Sequence, residues 1–364
     1  MTEDDRPRRI LSIDGGGLRG VAAIGFLECL QKKLSEKHGR NVPLHEHFDL
    51  IGGTSTGAII AAGLALDDSL ADIRKHYFKL APNVFRRAWN RIPFVHAIFS
   101  GEALQREFLN IVGDRPLETA DLKTGLAIVA KRVDTGSVWF LTNNPNAPYW
   151  KDPPDGSYIG NRHYGLANVI RASTAAPHFF DPHMLEIVKG QPPGLFVDGG
   201  VSPYGDPALA LFMIATIPAY GFGWPTGADR LEITSVGTGS YRYRVQRKTF
   251  LSRFAASFAV DALRSMIADS AMQTSMLMQA LGRNETRWVV NSEVGDLDGV
   301  CIGPAPLFSY RRYDLLLERD WLMKELGTRV SERQLESLRD ITSLKTMQRI
   351  YAMARRASRR QIIV

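Results

Sequence analysis

Residues 10–20 read ILSIDGGGLRG, an apolar run followed by glycines at the spacing G-x-G-x-x-G, namely Gly15, Gly17 and Gly20. A strand followed by a glycine-rich turn and a helix is typical of a loop that binds the phosphates of a dinucleotide. Backbone N–H groups at such a helix N-terminus can equally stabilise another anion. The rest of the chain decides between these two interpretations.

The apolar pattern on either side of this loop predicts an α/β fold. After the first strand, a helix is expected from about Val21 to Lys37, ended by Gly39. A strand at FDLIGG (48–53) and a small-residue helix over 57–66 follow. Strands that alternate with helices in this way form a parallel sheet with helices on its faces.

Later segments predict that the sheet is mixed. LAIVAKRVD (126–134) and SVWFLTN (137–143) flank a Thr-Gly pair and are expected to form an antiparallel hairpin. Further strands are predicted at GLFVDGG (194–200), LEITSVGTG (231–239) and RWVVN (287–291). The expected architecture is therefore a mixed, mostly parallel central sheet flanked by helices.

The composition is that of a folded enzyme rather than of a disordered chain. Of the 364 residues, 45% are hydrophobic and 23% are charged. The formal charge of +7 favours anionic partners, whether a nucleotide, a nucleic acid or an acidic membrane surface. The opening residues MTEDDRPRR have no apolar run behind a basic start, so we expect a cytoplasmic protein.

Cysteine spacing and hydropathy exclude several other classes. Cys29 and Cys301 form no C-x-x-C motif, which argues against a disulfide scaffold or a structural zinc site, and Cys29 is expected in a helix core. The most apolar later run, residues 208–224, is shorter than the roughly 20 residues that span a bilayer and contains Pro218. Its first half is expected to be a buried helix.

The chain has no internal repeat and no low-complexity tract. We therefore expect residues 8–309 to form one catalytic domain. From Tyr310 onward the pattern is helical and strongly charged, so residues 310–364 are expected to form a helical C-terminal extension packed on the same domain.

The second predicted strand leads into GTSTG (53–57), which fits the G-x-S-x-G motif. A strand, a tight turn and a small-residue helix are the setting of a nucleophile elbow, in which the turn exposes the serine. Ser55 is therefore the candidate nucleophile, and a structural turn is the alternative. Gly53 and Gly57 are expected to let the backbone bend.

The same strand weakens the dinucleotide interpretation. A dinucleotide site needs an acid near the end of the second strand to bind the ribose, but Asp49 lies at its start and glycines occupy its end. The first glycine loop is then a candidate oxyanion hole, in which the N–H groups of Gly16 and Gly17 point at the developing negative charge. The N–H of Thr56, directly after the nucleophile, is expected to add to them.

A serine nucleophile also needs a base. In an α/β-hydrolase the histidine comes last, but the last histidine here is His183, and the predicted sheet continues well beyond it. His163, His178 and His183 are expected to be surface or packing residues. Asp198 lies where a buried strand ends in a glycine turn and is the candidate base, with a plain turn residue as the alternative.

These pieces together resemble the patatin-like phospholipases. Residues 15–20 are similar to the family's glycine-rich oxyanion motif, 53–57 to its G-x-S-x-G motif, and 198–200 to its D-G-[AG] motif. ASTAAPHFF (172–180) is similar to the family's Ala-Ala-Pro stretch. The resemblance covers about residues 8–240 and implies a three-layer α/β fold.

The resemblance also implies the chemistry. By this resemblance, Ser55 is expected to attack a fatty-acyl ester of a membrane phospholipid with Asp198 as the general base, and water is expected to hydrolyse the acyl-enzyme without a metal or an organic cofactor. Arg19 is expected to anchor the glycine loop. The alternative is that its positive charge acts on the lipid phosphate. The remaining residues expected to support the motifs are Gly15, Gly20, Gly199 and Gly200. One departure is YGDP (204–207), where relatives often carry Asn-Asn-Pro.

A narrower likeness concerns regulation. The length, the SVGTG strand end (235–239) and the tail SYRRYDLLLERDWL (309–322) are similar to bacterial phospholipase effectors of anti-phage (CBASS-type) defence. That likeness implies a cyclic dinucleotide activator and action at the inner membrane surface. A constitutive lipase or acyltransferase remains an alternative, as does a nucleotide-binding sensor. Neither DNA nor RNA is an expected partner.

Two basic segments lie outside the catalytic motifs. Residues 85–91 and 94–99 mix bases with large aromatic side chains, which suits either a membrane contact or a cap over the active site. The last residues form a basic helical pattern that suits anionic lipid, a second subunit of a homo-oligomer or plain solvent. Its bases are Arg349, Arg355, Arg356, Arg359 and Arg360.

Overall fold

The computed structural model describes residues 6–85, 97–242 and 255–363. The strands are β1 (Arg8–Ile13), β2 (Leu50–Thr54), β3 (Gly125–Arg132), β4 (Val138–Thr142), β5 (His183–Leu185), β6 (Gly194–Asp198), β7 (Leu231–Val236), β8 (Arg283–Asn284) and β9 (Ser309–Tyr313). The helices are α1 (Val21–His38), α2 (Leu44–His47), α3 (Thr56–Ala65), α4 (Leu70–Val84), α5 (Gly101–Val112), α6 (Leu166–Ser173), α7 (Ala208–Thr216), α8 (Ala255–Leu281), α9 (Arg319–Leu326), α10 (Glu332–Arg339) and α11 (Met347–Gln361).

All nine described strands form one sheet in the order β5-β6-β3-β2-β1-β7-β9-β8, with β4 also paired to β3. The pairs β3-β2, β2-β1, β1-β7, β7-β9 and β9-β8 are parallel. The pairs β3-β4, β3-β6 and β5-β6 are antiparallel. The mixed, mostly parallel sheet and the hairpin of β3 and β4 are therefore confirmed.

The register of β3 explains how two distant motifs meet. Val129 pairs with Thr54 of β2 on one side and with β4 on the other. The next residue, Ala130, pairs with Asp198 of β6 and again with β4. Because β4 occupies one edge of β3 at both positions, β2 and β6 share the other edge, with their carboxyl ends facing each other.

Helices cover both faces of the sheet. Leu11 and Ile13 of β1 point into the larger core, which also contains buried residues of α1, α3, α4, α5, α6 and α11. Ile10, which precedes Leu11, points the opposite way, into a smaller core with residues of α7 and Met278 of α8. The alternation of side chains along a strand places these two cores on opposite faces, so the fold has the three layers expected.

Several local predictions are confirmed. Helix α1 ends before Gly39, whose φ of 64° is left-handed, as a glycine C-cap allows. Cys29 is buried within α1. Helix α7, in the first half of the apolar run, is largely buried. No helix in the described ranges is long and apolar enough to cross a bilayer.

Two local predictions are wrong. RWVVN is not a strand: residues 287–290 are irregular, with Arg287 and Val289 exposed, and no neighbouring strand pairs with them. The helical pattern also begins later than Tyr310, because residues 309–313 form β9 in the central sheet, where pairing with β7 overrides the local pattern. The C-terminal part is helical from Arg319 onward.

The C-terminal helix lies against the first helix. A side chain added at Gly25 of α1 would touch Ala354 of α11, so the two helices approach closely. Arg355 of α11 also forms an ion pair with Glu28 of α1 at 2.7 Å. The basic–aromatic segment predicted near residues 85–99 falls mostly outside the described residues, at 86–96.

Candidate active site

Ser55 occupies the turn between β2 and α3 in a strained backbone conformation, with φ 55° and ψ −124°. Positive φ is uncommon for a residue with a side chain and is typical of a nucleophile elbow. A side chain at Gly53 would overlap the backbone of Gly57, and one at Gly57 would overlap the Ile13 carbonyl. Both glycines of the motif are therefore required by close backbone approach.

The Ser55 hydroxyl donates a hydrogen bond to Asp198, with 2.6 Å between Oγ and Oδ2. The other carboxylate oxygen, Oδ1, accepts the Gly200 N–H at 2.7 Å. A side chain at Gly199 would overlap the carbonyl of Val129. The structure therefore brings the predicted nucleophile and the predicted base together, and the glycines after Asp198 fit the carboxylate against the sheet.

Asp198 is buried, with 6% of its surface exposed. Burial raises the pKa of Asp198 to about 6, while hydrogen bonds from Ser55 and Gly200 act in the opposite direction. Arg171 on α6 also favours the charged form. The carboxylate is ionised at neutral pH and is a stronger base than an ordinary aspartate.

Ser173, at the end of α6, is a site residue that the sequence did not indicate. Its Oγ accepts the Ser55 N–H at 2.8 Å and donates to the carbonyl of Val129 at 2.6 Å. The amide of Ser55 is thereby occupied and its turn is tied to β3. The only available signal was its position in ASTAAPHFF, a stretch that carried no assigned role.

The glycine loop is held from several sides. The Gly15 N–H donates to the Gly205 carbonyl at 3.0 Å, and the Leu18 N–H donates to the Ile341 carbonyl at 2.7 Å. The loop carbonyls accept in the following way: Gly15 from Thr238 Oγ1 at 2.7 Å, Gly16 from the Arg19 N–H at 3.2 Å, and Gly17 from the Tyr77 hydroxyl.

The candidate oxyanion donors are amides that donate no hydrogen bond within the described part of the protein. Among the described residues, the N–H groups of Gly16 and Gly17 donate to no carbonyl or side chain. The N–H of Thr56 opens α3 and has no partner inside that helix. All three residues line the same cleft as Ser55 and Asp198.

Steric contacts explain why this loop is built of glycines. A side chain at Gly16 would overlap Thr238, and one at Gly20 would overlap the Tyr77 hydroxyl. Gly17 has a left-handed φ of 56°, and a side chain there would overlap the Ile341 carbonyl. The loop is therefore packed tightly against its neighbours, with no room for larger side chains at these three positions.

Arg19 ties this loop to the segment after β7. Its Nη1 donates to the Gly239 carbonyl at 2.8 Å, and its guanidinium lies 5.3 Å from the centre of the Tyr241 ring. The side chain is buried, and burial lowers the pKa of Arg19. The charged group of Arg19 therefore interacts with other residues of the protein.

The cleft above the dyad has a volume of about 1880 Å³. Large apolar side chains line part of it, namely Ile59, Leu80, Phe85, Leu104, Phe108, Phe179 and Phe180. Charged side chains line another part, namely Arg264, Asp269, Glu318, Arg319, Asp320, Glu332, Glu336, Arg339 and Asp340. The apolar side chains would contact an apolar chain, and the charged side chains would contact a polar head group.

The predicted non-catalytic histidines are not bonded to the dyad. His163 is exposed and contacts Asp152 at 2.7 Å. Burial lowers the pKa of His183, on β5, to about 4. His178 lines the cleft but forms no hydrogen bond with Ser55 or Asp198. Within the described ranges, no cluster of His, Cys, Asp and Glu is arranged to hold a metal ion.

Residues 11–212, more than half of the chain, match the family model described as Patatin-like phospholipase. The chain is 30% identical over 205 residues to the cGAMP-activated phospholipase of Escherichia coli (strain TW11681), covering 54% of this chain and 53% of that protein. It is 32% identical over 253 residues to calcium-independent phospholipase A2-gamma of Rattus norvegicus, covering 66% of this chain and 30% of that protein.

The chain thus spans about half the length of the first of these relatives and less than a third of the second. Among solved structures, human GIVD cytosolic phospholipase A2 aligns with 98% of this chain and 58% of its own chain. That alignment has a TM-score of 0.45 and 12% sequence identity.

Proposed function

The chain belongs to the patatin-like phospholipase family, and on that premise we propose that it hydrolyses fatty-acyl esters of membrane phospholipids with Ser55 as nucleophile and Asp198 as general base. The observation that carries the proposal is the 2.6 Å hydrogen bond between Ser55 Oγ and Asp198 Oδ2 in the wall of the cleft. A serine is a weak nucleophile until a base accepts its proton, and this contact supplies one.

Acylation begins when Ser55 Oγ attacks the ester carbonyl carbon and its proton passes to Asp198 Oδ2. The carbonyl oxygen becomes an oxyanion, which the N–H groups of Gly16, Gly17 and Thr56 stabilise. The tetrahedral intermediate then collapses: the ester C–O bond breaks, and the leaving lysophospholipid oxygen takes the proton from Asp198. The products of this step are an acyl-Ser55 ester and a lysophospholipid.

Deacylation repeats the same chemistry with water. The oxygen of a water molecule attacks the acyl carbon while Asp198 accepts a proton from that water. The N–H groups of Gly16, Gly17 and Thr56 stabilise the second oxyanion. The Ser55 Oγ then leaves and recovers the proton from Asp198, which releases the fatty acid. Loss of a single oxyanion donor typically costs about 10²–10³ in rate, so the amides carry much of the catalysis.

The lining of the cleft supports a lipid substrate. The buried aromatic and aliphatic side chains that include Phe108 and Phe180 suit an acyl chain, because burial of apolar surface is favourable. This apolar lining favours an ester with a long acyl chain over a short, soluble ester.

Covalent labelling tests the nucleophile directly. A lipid-like fluorophosphonate should add one phosphonyl group to the full-length chain, and peptide mass spectrometry should place it on Ser55. Ser55→Ala should remain unlabelled under the same conditions, and Ser202→Ala, a serine on the loop after the acid, should label like wild type. Labelling at another residue in the wild-type protein would overturn the assignment.

A finer part of the proposal concerns regulation and location. The Escherichia coli relative is described as cGAMP-activated, which supports a cyclic dinucleotide as activator of this chain as well. We place its action at the cytoplasmic face of the inner membrane, with homo-oligomerisation as part of activation. Residues 8–309 together with the rest of β9 act as the catalytic domain, and the helices from Arg319 onward act as its C-terminal extension. A constitutive lipase or acyltransferase with the same dyad is the competing function.

A further inference from the structure

Arg312 lies on β9, outside the family-matched residues, yet its side chain reaches the start of the glycine loop. The guanidinium is buried, with 5% of the side chain exposed. Its Nη1 and Nη2 donate to Oδ1 and Oδ2 of Asp14 at 3.0 and 2.6 Å. Such a two-pronged pair fixes orientation as well as distance, and Asp14 directly precedes Gly15.

The same guanidinium binds two further carboxylates. Nη1 donates to Asp206 Oδ2 at 3.0 Å and to Ser235 Oγ at 2.6 Å. Nη2 donates to Asp314 Oδ2 at 2.7 Å. Arg312 therefore joins the carboxyl ends of β1, β7 and β9 to the loop that follows the catalytic strand β6.

Asp206 connects this cluster to the loop after Asp198. Asp206 is 2% exposed, and its Oδ1 also accepts the Ala208 N–H at 3.0 Å, at the start of α7. Its neighbour Gly205 accepts the Gly15 N–H at 3.0 Å. Fixing Asp206 therefore fixes the carbonyl that holds the first glycine of the loop.

Asp314 connects the cluster to the opposite side of the loop. Its Oδ1 accepts the Gly239 N–H at 2.8 Å, and its Oδ2 accepts the Ser240 hydroxyl. The carbonyl of Gly239 in turn accepts Arg19 Nη1 at 2.8 Å. Through these bonds the guanidinium braces both ends of residues 14–19.

The charge balance makes Arg312 indispensable to this arrangement. One guanidinium faces three buried carboxylates, Asp14, Asp206 and Asp314. Burial raises the pKa of Asp14 well above its usual range, and the attraction of Arg312 opposes that rise. Without the guanidinium, the three carboxylates would face one another without a cation, and the paired hydrogen bonds that orient Asp14 would be lost.

We propose that Arg312 is a positioning residue for the oxyanion loop: through Asp14 and Asp206 it holds the amides of Gly16 and Gly17 within reach of an ester bound at Ser55. This role rests on the proposed function of those amides. The guanidinium of Arg312 is held by Asp14, Asp206, Ser235 and Asp314, so its effect on the transition state acts through the loop.

The first test is Arg312→Lys, which keeps the charge but lacks the planar fork that binds two oxygens at once. A displacement of about 1 Å in a catalytic group can cost about 10²-fold, so kcat on a fluorogenic phospholipid should fall by about 10–100-fold. KM should change by less than about threefold, because the oxyanion exists only in the transition state. The matched control is Arg355→Lys, whose arginine pairs with Glu28 away from the site and whose replacement should leave kcat unchanged.

The second readout does not depend on activity. Amide hydrogen exchange of peptides covering residues 14–20 should be faster in Arg312→Lys than in wild type, while peptides from α11 exchange alike. If the wild-type protein hydrolyses no ester, with or without a cyclic dinucleotide, but Arg312→Lys loosens this loop, the proposed function fails, while the bracing of residues 14–20 by Arg312 stands. If wild type hydrolyses phospholipid and Arg312→Lys keeps both kcat and the loop exchange, the positioning role is overturned.

Asp206→Asn keeps the test decisive if Arg312→Lys does not fold. The amide has the same shape and can still accept the Ala208 N–H, but it removes the charge that pairs with Arg312. We expect a reduced kcat, a nearly constant KM and faster exchange over residues 14–20. Wild-type values for both kcat and exchange in Asp206→Asn would contradict the coupling of this cluster to the loop.

Discussion

Ser55 and Asp198 lie 2.6 Å apart because the strands before them, β2 and β6, run towards each other along one edge of β3. The two residues are 143 positions apart in the chain, so only the sheet register can bring them together. The contact involves no histidine, and the properties of the buried carboxylate determine how the site responds to pH.

Hydrolysis should require the ionised form of Asp198. Since burial raises the pKa of Asp198 to about 6, kcat/KM should fall as the pH drops through about 6 and approach a tenfold loss per pH unit below it. A pH series with a fluorogenic ester checks this. A rate that stays constant from pH 8 to pH 4.5 would contradict a carboxylate base with this pKa.

Histidine variants test whether the fall of kcat/KM at acidic pH comes from Asp198 or from an imidazole. His178 lines the cleft and His183 lies on β5, and neither contacts the dyad. His178→Gln and His183→Gln should therefore keep kcat within about twofold and leave the acidic limb in place, because the base is elsewhere. A folded histidine variant without activity would restore a triad with histidine as base.

Ionised Asp198 should also lower the stability of the fold. Its pKa is about 6 in the folded protein, against 3.8 for an ordinary aspartate. The stability contributed by the protonated form is complete below about pH 3.8 and is lost as the pH rises through about 6, a loss of about 3 kcal/mol.

Asp198→Asn should consequently be more stable than wild type at pH 8, and the difference should shrink towards pH 4. Denaturant unfolding at pH 4, 6 and 8 measures the free energy of unfolding of both proteins. The parallel control Asp155→Asn replaces an exposed loop aspartate. A lower stability of Asp198→Asn at pH 8, or a difference that does not vary with pH, would contradict the burial cost.

Substitution in the glycine loop should affect turnover more than binding. A side chain at Gly16 would overlap Thr238, so Gly16→Ala displaces the loop and its amides. We expect kcat to fall by about 10²–10³ with a small change in KM, because the lost donor acts in the transition state. Steady-state kinetics on phospholipid vesicles gives both constants.

The matched control for this loop is Gly303→Ala, at an ordinary backbone position where an added side chain would make only an ordinary van der Waals contact with the Ala305 carbonyl, at 3.5 Å. It should behave like wild type. Binding of NAD or ATP to the wild-type protein, lost in Gly16→Ala, would instead favour the nucleotide-binding interpretation of the loop.

The sequence predicted the motifs and most elements because both depend on local pattern. A strand, a turn of small residues and a helix identify Ser55, and a strand ending in glycines identifies Asp198. Their hydrogen bond depends on the register of β3, which no local pattern encodes. The family resemblance could therefore pair the two residues, whereas local pattern alone could only nominate each of them separately.

The residues that the sequence missed act over long distances. Ser173 and Arg312 have no local motif, and Arg312 acts on Asp14 from 298 positions away. The false strand at RWVVN shows the same limit, because apolar, β-branched residues form a strand only where a neighbouring strand accepts their hydrogen bonds. Tertiary pairing likewise made residues 309–313 a strand.

If a cyclic dinucleotide switches the enzyme, the apo protein should hydrolyse phospholipid slowly. A rise from about 1% to 99% active would need a preference of roughly 5.5 kcal/mol for the active state. Hydrolysis with each cyclic dinucleotide, measured alongside mass in solution, checks this. Full apo activity that no cyclic dinucleotide changes, with a constant mass, would leave a constitutive lipase.

Phospholipid hydrolysis by Ser55→Ala and Asp198→Asn, beside wild type and in the presence of any activator found, tests the dyad most directly. Nucleophile and base act as a unit, so each variant should lose nearly all activity, with kcat reduced by about 10³-fold or more. Circular dichroism should show an unchanged fold in both. Either variant retaining more than a few per cent of wild-type kcat with the fold intact would contradict a Ser55–Asp198 mechanism.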